Sequence, residues 1–322
     1  MFKKFFVCLL LTAFAVNSLT AENIKVMLLT GRSNKYHNWE GSSAAIRQHL
    51  EAAGIFEVDT IIAPPAGGDL ASFAPNWSDY QAVVLDYDAD EEWSESTKAS
   101  FVDYVKNGGG LVTVHGTNNS FAYWPEFLAI TGLGGWGGQR LYDPVFNADD
   151  TSRAASRNET WGPRVYWECG EMVHDDSPGG ATHPPSHDFL VTVRDYDHPI
   201  TRGLPEVWLH AHDEVYTNLR GPAKNIGILA TGFADPTLKN ASPHHEPILF
   251  TIGYGKGRVL QNTLGHVGAR DDGTVASVQS VGFIVTLQRG VEWAATGEVT
   301  QSLPEDFPTP YKTSLRSTPP KK

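Results

Sequence analysis

Three histidines follow hydrophobic runs of the chain, where these runs give way to polar residues. His115 comes directly after the run 110–114, and His37 and His266 follow two other such runs. In open α/β sheets, ligands bind at the carboxyl ends of the parallel strands, so side chains placed there converge on one crevice. An imidazole titrates near neutral pH and also ligates metals. The three histidines therefore predict a small-molecule site, and His115 and His266 form a pair of imidazoles suited to proton transfer or metal ligation.

A second concentration of titratable groups is the segment His210-Ala211-His212-Asp213-Glu214. If this segment is extended, His210, His212 and Glu214 project from one face of the strand. Two imidazoles and a carboxylate form a donor set for zinc or another divalent metal. The other interpretation is that a His-x-His pair arises by chance in a chain with twelve histidines, and that Asp213 and Glu214 only cap or pair at a strand end.

Tryptophans near these positions favour a sugar as the ligand. Trp39 lies beside His37, and Trp124 and Trp136 lie near the glycine-rich run 132–138. Indole rings stack on sugar rings, although they also pack the interior of loops. The glycine run lacks the Lys-Ser/Thr ending of a phosphate-binding loop and the strand that precedes a dinucleotide fingerprint, so it does not predict a nucleotide.

A long irregular segment spans 131–185 and is rich in Gly, Pro, Asp and Trp. Loops of this length are usually lids or binding loops. His183 and His187 lie at and just beyond its end, and we expect them to close over the pocket. The alternative is that both are exposed loop histidines.

Strands alternate with helices in the first half of the chain. The pattern predicts strands over 24–30, 56–62, 80–85 and 111–114, with helices from a cap at Ser42 or Ser43 to Gly54 and over 94–106. Further strands are predicted over 189–194, 207–216, 226–231, 248–252 and 258–263, and a last helix over 278–295. Such alternation indicates one α/β domain, 22–298, with a mostly parallel sheet, helices on both faces and the loop insertion described above.

The two ends of the chain differ from this domain. Lys3, Lys4, the apolar stretch 5–16 and small residues up to Ala21 are typical of a secretory signal, which predicts an exported, soluble periplasmic or extracellular protein. Losing both lysines takes the formal charge from −12 to −14, which disfavours nucleic acid and anionic lipid as partners. Cys169 then has no cysteine partner, so neither an intramolecular disulfide nor a cysteine metal cluster can form. The proline-rich end, 299–322, predicts an extended tail.

Several motifs together resemble the trehalose-utilisation (ThuA-like) family over nearly the whole chain after the signal segment. They are Tyr36-His37-Asn38-Trp39, His115-Gly116-Thr117-Asn118-Asn119-Ser120-Phe121, the run 132–138, His198-Pro199-Ile200-Thr201-Arg202-Gly203-Leu204-Pro205, the run 210–216, the run 253–259 and Gly265-His266. The resemblance implies a flavodoxin-like sheet of the class I glutamine amidotransferase-like superfamily. It also implies a link to carbohydrate breakdown.

The resemblance bears on the reaction as well. That superfamily places a nucleophilic cysteine at a strand-to-helix turn, where this chain has His115, and a histidine at the end of a later strand, which His266 matches. Without a Cys or Ser at this turn, acyl-enzyme chemistry has no nucleophile, and glutamine hydrolysis is disfavoured. The family pattern also includes Asp213, Tyr216, His245 and Glu246 as expected site residues. The last two precede the strand from 248, so they reach the crevice only if that strand is antiparallel.

These observations predict a carbohydrate-active enzyme that acts on a glycoside or 3-keto-glycoside by general acid-base chemistry, as a lyase, isomerase or hydrolase. Its predicted catalytic residues are His115, Glu214 and His266. One alternative is a zinc-type metal-dependent hydrolase with the same histidine cluster, a divalent metal being the only cofactor that the pattern suggests. The other is a non-catalytic sugar-binding protein.

Overall fold

The computed structural model describes residues 23–89, 91, 93–135, 162–177 and 180–317. The predicted signal segment and Trp136 lie outside these residues. Within the described ranges, none of the helices combines the length and the apolar character needed to cross a bilayer.

The described residues form eleven strands and five α-helices. The strands are β1 (Ile24–Thr30), β2 (Phe56–Ile62), β3 (Ala82–Leu85), β4 (Gly110–Val114), β5 (Arg164–Glu168), β6 (Glu171–Asp175), β7 (His187–Val193), β8 (Val207–Asp213), β9 (Ile226–Phe233), β10 (Glu246–Tyr254) and β11 (Gly257–Asn262). The helices are α1 (Trp39–Ala52), α2 (Glu95–Lys106), α3 (Pro125–Thr131), α4 (Ala276–Gln279) and α5 (Val281–Thr296). A 3-10 helix, His115–Asn119, follows β4 directly.

Nine of these strands form one sheet in the order β2-β1-β3-β4-β11-β10-β9-β7-β8. The first five strands of this order are all parallel, which is the doubly wound order of flavodoxin-like proteins. The remaining pairs are antiparallel, with β10 and β7 running against the other seven strands. The predicted α/β class with a mostly parallel sheet is thereby confirmed.

The reversed strands bring their first residues to the edge where the other strands end. Glu246, at the start of β10, pairs with Gly232 near the end of β9. His187, at the start of β7, pairs with Asp213 at the end of β8. The open question about the strand from 248 is thus answered, because β10 is antiparallel and begins at the carboxyl edge of the parallel strands.

Alternating strand residues fill a core on each side of the sheet. Val26 and Leu28 face the side that α1 and α5 cover, whereas Met27 and Leu29 face α2 and α3. All four side chains are fully buried. Helices cover both faces of the sheet, as predicted, and this is why β1 is buried along both of its faces, as is typical of parallel strands.

Several predicted boundaries differ from the structure. The N-cap of α1 is Asn38 rather than the predicted Ser42 or Ser43, so the helix begins earlier, at Trp39. The Asn38 side chain accepts from the N–H groups of Glu40 and Gly41. The hydroxyl of Ser42 donates instead to Asp86, at 2.7 Å. The predicted last helix is divided at Ser280 into α4 and α5. The irregular segment contains the β5–β6 hairpin, which the sequence did not predict.

The proline-rich tail is attached along the edge of the sheet. The N–H of Leu209 in β8 donates to Thr309 at 2.9 Å, and Val281 N–H donates to Ser314 at 2.9 Å. The Phe307 ring packs against Trp208 with centroids 5.5 Å apart. The described part of the tail, which ends at 317, therefore stabilises β8 and the start of α5.

Candidate functional site

His115 is the first residue of the 3-10 helix and lies at the sharp turn that follows β4. Its φ of +39° is a left-handed conformation that side chains other than glycine seldom adopt. The ring Nδ1–H donates to the carbonyl of Thr263, at 2.8 Å. Because a carbonyl only accepts, the proton is fixed on Nδ1, and Nε2 faces the hydroxyl of Tyr216 at 3.1 Å.

His37 lies in the loop from β1 to α1 and is held in a similar way. Its Nδ1–H donates to the Asp88 carboxylate at 2.8 Å. Gly116 leaves room for this ring, since a Cβ at that position would stand 2.8 Å from the His37 ring atoms. The pairing with Asp88 leaves Nε2 of His37 available to a ligand.

His266 follows β11, and Asp213 holds its backbone. The buried carboxylate of Asp213 accepts from the N–H of Gly265 at 2.7 Å and of His266 at 3.2 Å. It also accepts from His210 Nε2, at 2.9 Å. Burial alone would raise the pKa of Asp213, but the hydrogen bond and charge of His210, with smaller effects of other neighbours, hold it well below its ordinary value.

The three imidazoles come together at one point of the rim. Their ring centroids are 5.2 Å apart for His37 and His115, 5.3 Å for His37 and His266, and 4.9 Å for His115 and His266. One nitrogen from each ring lies within 4.8 Å of the other two. In the part of the chain that the structure describes, no other group of three histidine, cysteine or acidic side chains is arranged to hold a metal.

Glu214 lies against this cluster and is only 7% exposed. Its Oε1 is 3.4 Å from Nδ1 of both His183 and His266, and its Oε2 is 3.6 Å from Nε2 of His115. The carboxylate therefore contacts three imidazoles at once.

The charges of these groups depend on one another. Burial alone would raise the pKa of Glu214, but His115, with His266 and His183, lowers it below its usual range. Burial would lower the pKa of His115, but the carboxylates of Glu214 and Asp213 raise it above its usual range. Burial and the neighbouring imidazole of His115 lower the pKa of His266 to about 4. At neutral pH, a carboxylate and a neutral imidazole therefore lie side by side.

A cavity of about 240 Å³ opens onto this cluster. Glu214, Tyr216, His183, His37 and His266 line it, as do the polar side chains of Asn34, Asn119 and Thr182 and the ring of Tyr36. Trp39 lines a smaller recess beside it, which His37 and His115 share. Eight predicted site residues therefore line the cavity or the recess, or support their walls. They are His37, Trp39, His115, His183, Glu214, Tyr216, His266 and, behind His266, Asp213.

Other predicted substrate-binding residues lie elsewhere. Trp124 is buried in an aromatic cluster, 5.4 Å from the Phe121 ring. The two ring nitrogens of His187 contact Pro185 and Asp235. His245 packs on Phe233 and Glu246 is buried at the start of β10. None of these four predicted residues lines the cavity.

The predicted metal set of His210, His212 and Glu214 is not brought together. His210 is fully buried and both of its ring nitrogens are engaged, by Asp213 and Ser280. His212 is exposed. The strand ends at Asp213, so the alternation that would have put Glu214 on the face of His210 does not continue.

Asp88, Asn119, Asn34 and Tyr36 belong to the site but were not predicted from the sequence. Asp88 follows β3, and Asn119 follows the turn at His115. The rule that polar groups after strands face the crevice, which identified the histidines, would have found Asp88 too. Asn34 and Tyr36 precede His37 in the same loop and carry no chemical signal of their own.

The fold and the histidine cluster define the class: a doubly wound α/β protein with a polar site at the carboxyl edge of its parallel strands. The chain belongs to the trehalose-utilisation (ThuA) family, whose model matches residues 25–294. The family is associated with carbohydrate utilisation, as its name states.

Solved structures agree with this membership. A ThuA-like protein from Parabacteroides merdae is 43% identical, with 92% of this chain and 98% of that one covered and a TM-score of 0.81. A ThuA-like protein from Bacteroides uniformis is 14% identical over 89% of this chain and 97% of that one, with a TM-score of 0.50, and shares the fold. No curated protein matches the chain.

Proposed function

We propose that this protein is an exported enzyme that acts on a glycoside or 3-keto-glycoside by proton transfer at Glu214, His115 and His266. The observation that carries the proposal is the position of Glu214, whose two oxygens lie 3.4–3.6 Å from the ring nitrogens of three histidines at the wall of the cavity. Carboxylates and imidazoles are the groups that most often act as general bases and acids. Membership of a family associated with trehalose utilisation supports a sugar as the substrate.

The groups are suited to an elimination beside a sugar carbonyl. The Glu214 carboxylate takes the proton from the carbon next to the carbonyl, and the electron pair of that C–H bond forms a carbon–carbon double bond. The glycosidic C–O bond breaks, and the protonated imidazole of His115 donates its Nε2 proton to the departing oxygen. Protonating the carbonyl oxygen instead gives an enediol and hence isomerisation, with the same base.

The cavity wall offers polar groups for the hydroxyls of a sugar. Asn34 and Asn119 present amides, and Thr182 and Tyr216 present hydroxyls. The ring of Tyr36 is 50% exposed at the rim and provides a surface on which a sugar ring can stack. His183 lies on the Glu214 side of the cavity and Trp39 lines the adjoining recess, so we assign both to substrate binding.

The test compares wild type with Glu214→Gln on a panel of glycosides and 3-keto-glycosides, with product measured by mass spectrometry. Loss of the proton-transferring oxygen should lower kcat by about 10²–10⁴-fold. Glu171→Gln is the matched control, because Glu171 is an exposed glutamate on β6 that does not line the cavity. Full activity in Glu214→Gln would refute the proposal. Thermal stabilisation by sugars with no product from any of them would favour the non-catalytic binder.

A metal-dependent hydrolase is the second candidate function, and the convergence of three histidine nitrogens favours it. The two reactions differ in their products. A hydrolase adds water to the substrate, whereas the elimination does not. Turnover in heavy-oxygen water therefore separates them: label at the cleaved sugar carbon supports hydrolysis, and an unsaturated, unlabelled product supports elimination.

Export is the remaining part of the proposal, and the signal-like pattern of 1–21 supports it. We expect the protein purified from its own cells to begin at Glu22 and to appear outside the cytoplasm. An intact N-terminus in a cytoplasmic fraction would contradict export without affecting the proposed reaction.

A further inference from the structure

We infer that His37, His115 and His266 bind one divalent transition-metal ion of the zinc type at the base of the cavity. One nitrogen of each ring lies within 4.8 Å of the other two. Three nitrogens bound to Zn²⁺ at 2.0–2.1 Å with tetrahedral angles are about 3.4 Å apart. The side chains thus need only a small inward adjustment to enclose an ion.

The groups behind the rings give independent support. Metal-bound histidines almost always donate their second N–H to a carboxylate or a backbone carbonyl, which fixes the ring and directs the other nitrogen at the metal. His37 has such a partner in Asp88, and His115 has one in the carbonyl of Thr263, each at 2.8 Å. In both rings, Nε2 is consequently the nitrogen that can bind the ion, and in His115 the ion would replace the Tyr216 hydroxyl, which lies 3.1 Å from that nitrogen.

The carboxylate of Asp88 is itself held in place. The backbone N–H of Asp88 donates to the carbonyl of Arg32 at 3.1 Å. The side-chain amide of Asn34 donates to Oδ2 of Asp88, the same oxygen that His37 contacts. Gly116 provides the space in which the His37 ring lies against the turn at His115. The orientation of His37 is therefore set by a layer of residues around it, as in built metal sites.

The donor set indicates which ions fit. Three imidazoles favour zinc, cobalt, nickel, copper or iron, whereas magnesium and calcium require oxygen ligands. Three protein ligands also leave an open position, which is the pattern of catalytic rather than structural zinc sites. That position faces the cavity, which His37 and His266 line.

The role of the ion rests on the proposed function, although its binding does not. An ion held there can polarise the carbonyl oxygen of a keto-glycoside. With the three imidazoles engaged as ligands rather than as proton donors, Glu214, at 3.4 Å from His266, is the group that both takes the proton and returns it to the departing oxygen. This ligand set differs from the set of His210, His212 and Glu214 that the segment 210–214 suggested, and Glu214 lies beside the ion rather than on it.

Metal binding by purified, untagged full-length protein tests the inference. After treatment with EDTA and its removal, Zn²⁺ and Co²⁺ are titrated by calorimetry, and the visible spectrum of bound Co²⁺ reports nitrogen ligation. We expect one equivalent per chain. His37→Ala and His266→Ala should each lose tight binding, and Asp88→Asn, which keeps all three ligands, should weaken it by about 10–100-fold.

His212→Ala is the matched control, because His212 is an exposed histidine outside the cluster and should bind metal as wild type does. Thermal unfolding shows which variants are folded. If an alanine variant does not fold, Asp88→Asn provides the test of metal binding in its place. Failure of wild type to bind an equivalent of either ion would overturn the inference, as would unchanged binding in His266→Ala. Product formation by metal-free protein would overturn the role of the ion but leave the proposed reaction standing.

Discussion

Replacing Asp213 by Asn should destabilise the protein, because its carboxylate accepts four hydrogen bonds in the interior. Oδ1 accepts from the N–H of Glu214 at 2.8 Å and of His266 at 3.2 Å. Oδ2 accepts from the N–H of Gly265 at 2.7 Å and from His210 at 2.9 Å. An asparagine has only one oxygen, so its NH₂ group must face two of these donors whichever way the amide is turned.

The less costly orientation places the NH₂ group against Gly265 and His210. His210 can move its proton to Nδ1, donate to Ser280 and accept at Nε2, but the N–H of Gly265 has no such choice. One buried donor without an acceptor costs about 1–3 kcal/mol, and the loss of charge from the bonds that remain adds about 1 kcal/mol. The total of about 2–4 kcal/mol corresponds to a drop in Tm of roughly 3–6 °C for a chain of this size, whose entropy of unfolding is about 0.7 kcal/mol/K.

Thermal and urea unfolding of wild type, Asp213→Asn and Asp188→Asn measure this difference. Asp188 accepts one exposed backbone N–H, from His212 at 2.7 Å, so its substitution should change the stability by less than about 0.5 kcal/mol. Because the pKa of Asp213 is lowered on folding, its stabilisation is present above the ordinary carboxyl pKa and is lost as the pH falls below it. The difference between wild type and Asp213→Asn should therefore shrink in acid. If both variants unfold together with wild type at neutral pH, the hydrogen-bond argument is wrong.

Three further substitutions have distinct outcomes. Burial raises the pKa of Glu246 from 4.5 to about 7, so ionising this carboxyl costs the folded state up to about 3 kcal/mol. In urea unfolding, Glu246→Gln should therefore be more stable than wild type near pH 8 and equally stable near pH 4. A difference in stability that does not change with pH would contradict this. Gly116→Ala should push the His37 ring off its partner and weaken metal binding by about 10–100-fold in calorimetry, with little change in Tm; unchanged binding would show that the ring has room to spare. Trp124→Ala should cost about 3–5 kcal/mol of stability without changing sugar affinity in the folded protein, and a loss of affinity alone would return Trp124 to the binding site.

Hydrophobic periodicity was a good guide to where strands lie and a poor guide to their direction. The runs 24–30 and 56–62 coincide with β1 and β2. Nothing in a short apolar run states which way it points, so the antiparallel β10 and β7 could not be predicted from it. The β5–β6 hairpin was not predicted, because its two strands are only five residues long each and lie in a segment rich in glycine and proline, which is typical of loops.

The three histidines were found because they stand at strand ends, where topology alone brings side chains together. The predicted metal ligands His210, His212 and Glu214 do not come together in the structure. That prediction assumed that the strand continues past Asp213, where β8 in fact ends. His210 instead points into the interior toward Ser280, at 3.1 Å, on the side of the sheet that α5 covers. A motif within one segment is therefore weaker evidence for a site than residues that separate strands deliver to the same edge.

Glu214 reaches the histidine cluster because Asp213 joins two distant strands of the sheet. Four strand spacings separate β11 from β8, which in a flat sheet is about 19 Å. Residues 263–265 follow β11, and the N–H of Gly265 donates to Asp213, at the end of β8, at 2.7 Å. The Asp213 hydrogen bonds therefore hold the end of β8 beside the residues that follow β11, and Glu214 lies 3.4 Å from His266 as a result. The carboxylate and the imidazoles are thus held together by one buried side chain, and the tail that binds the outer edge of β8 at Leu209 supports the same strand.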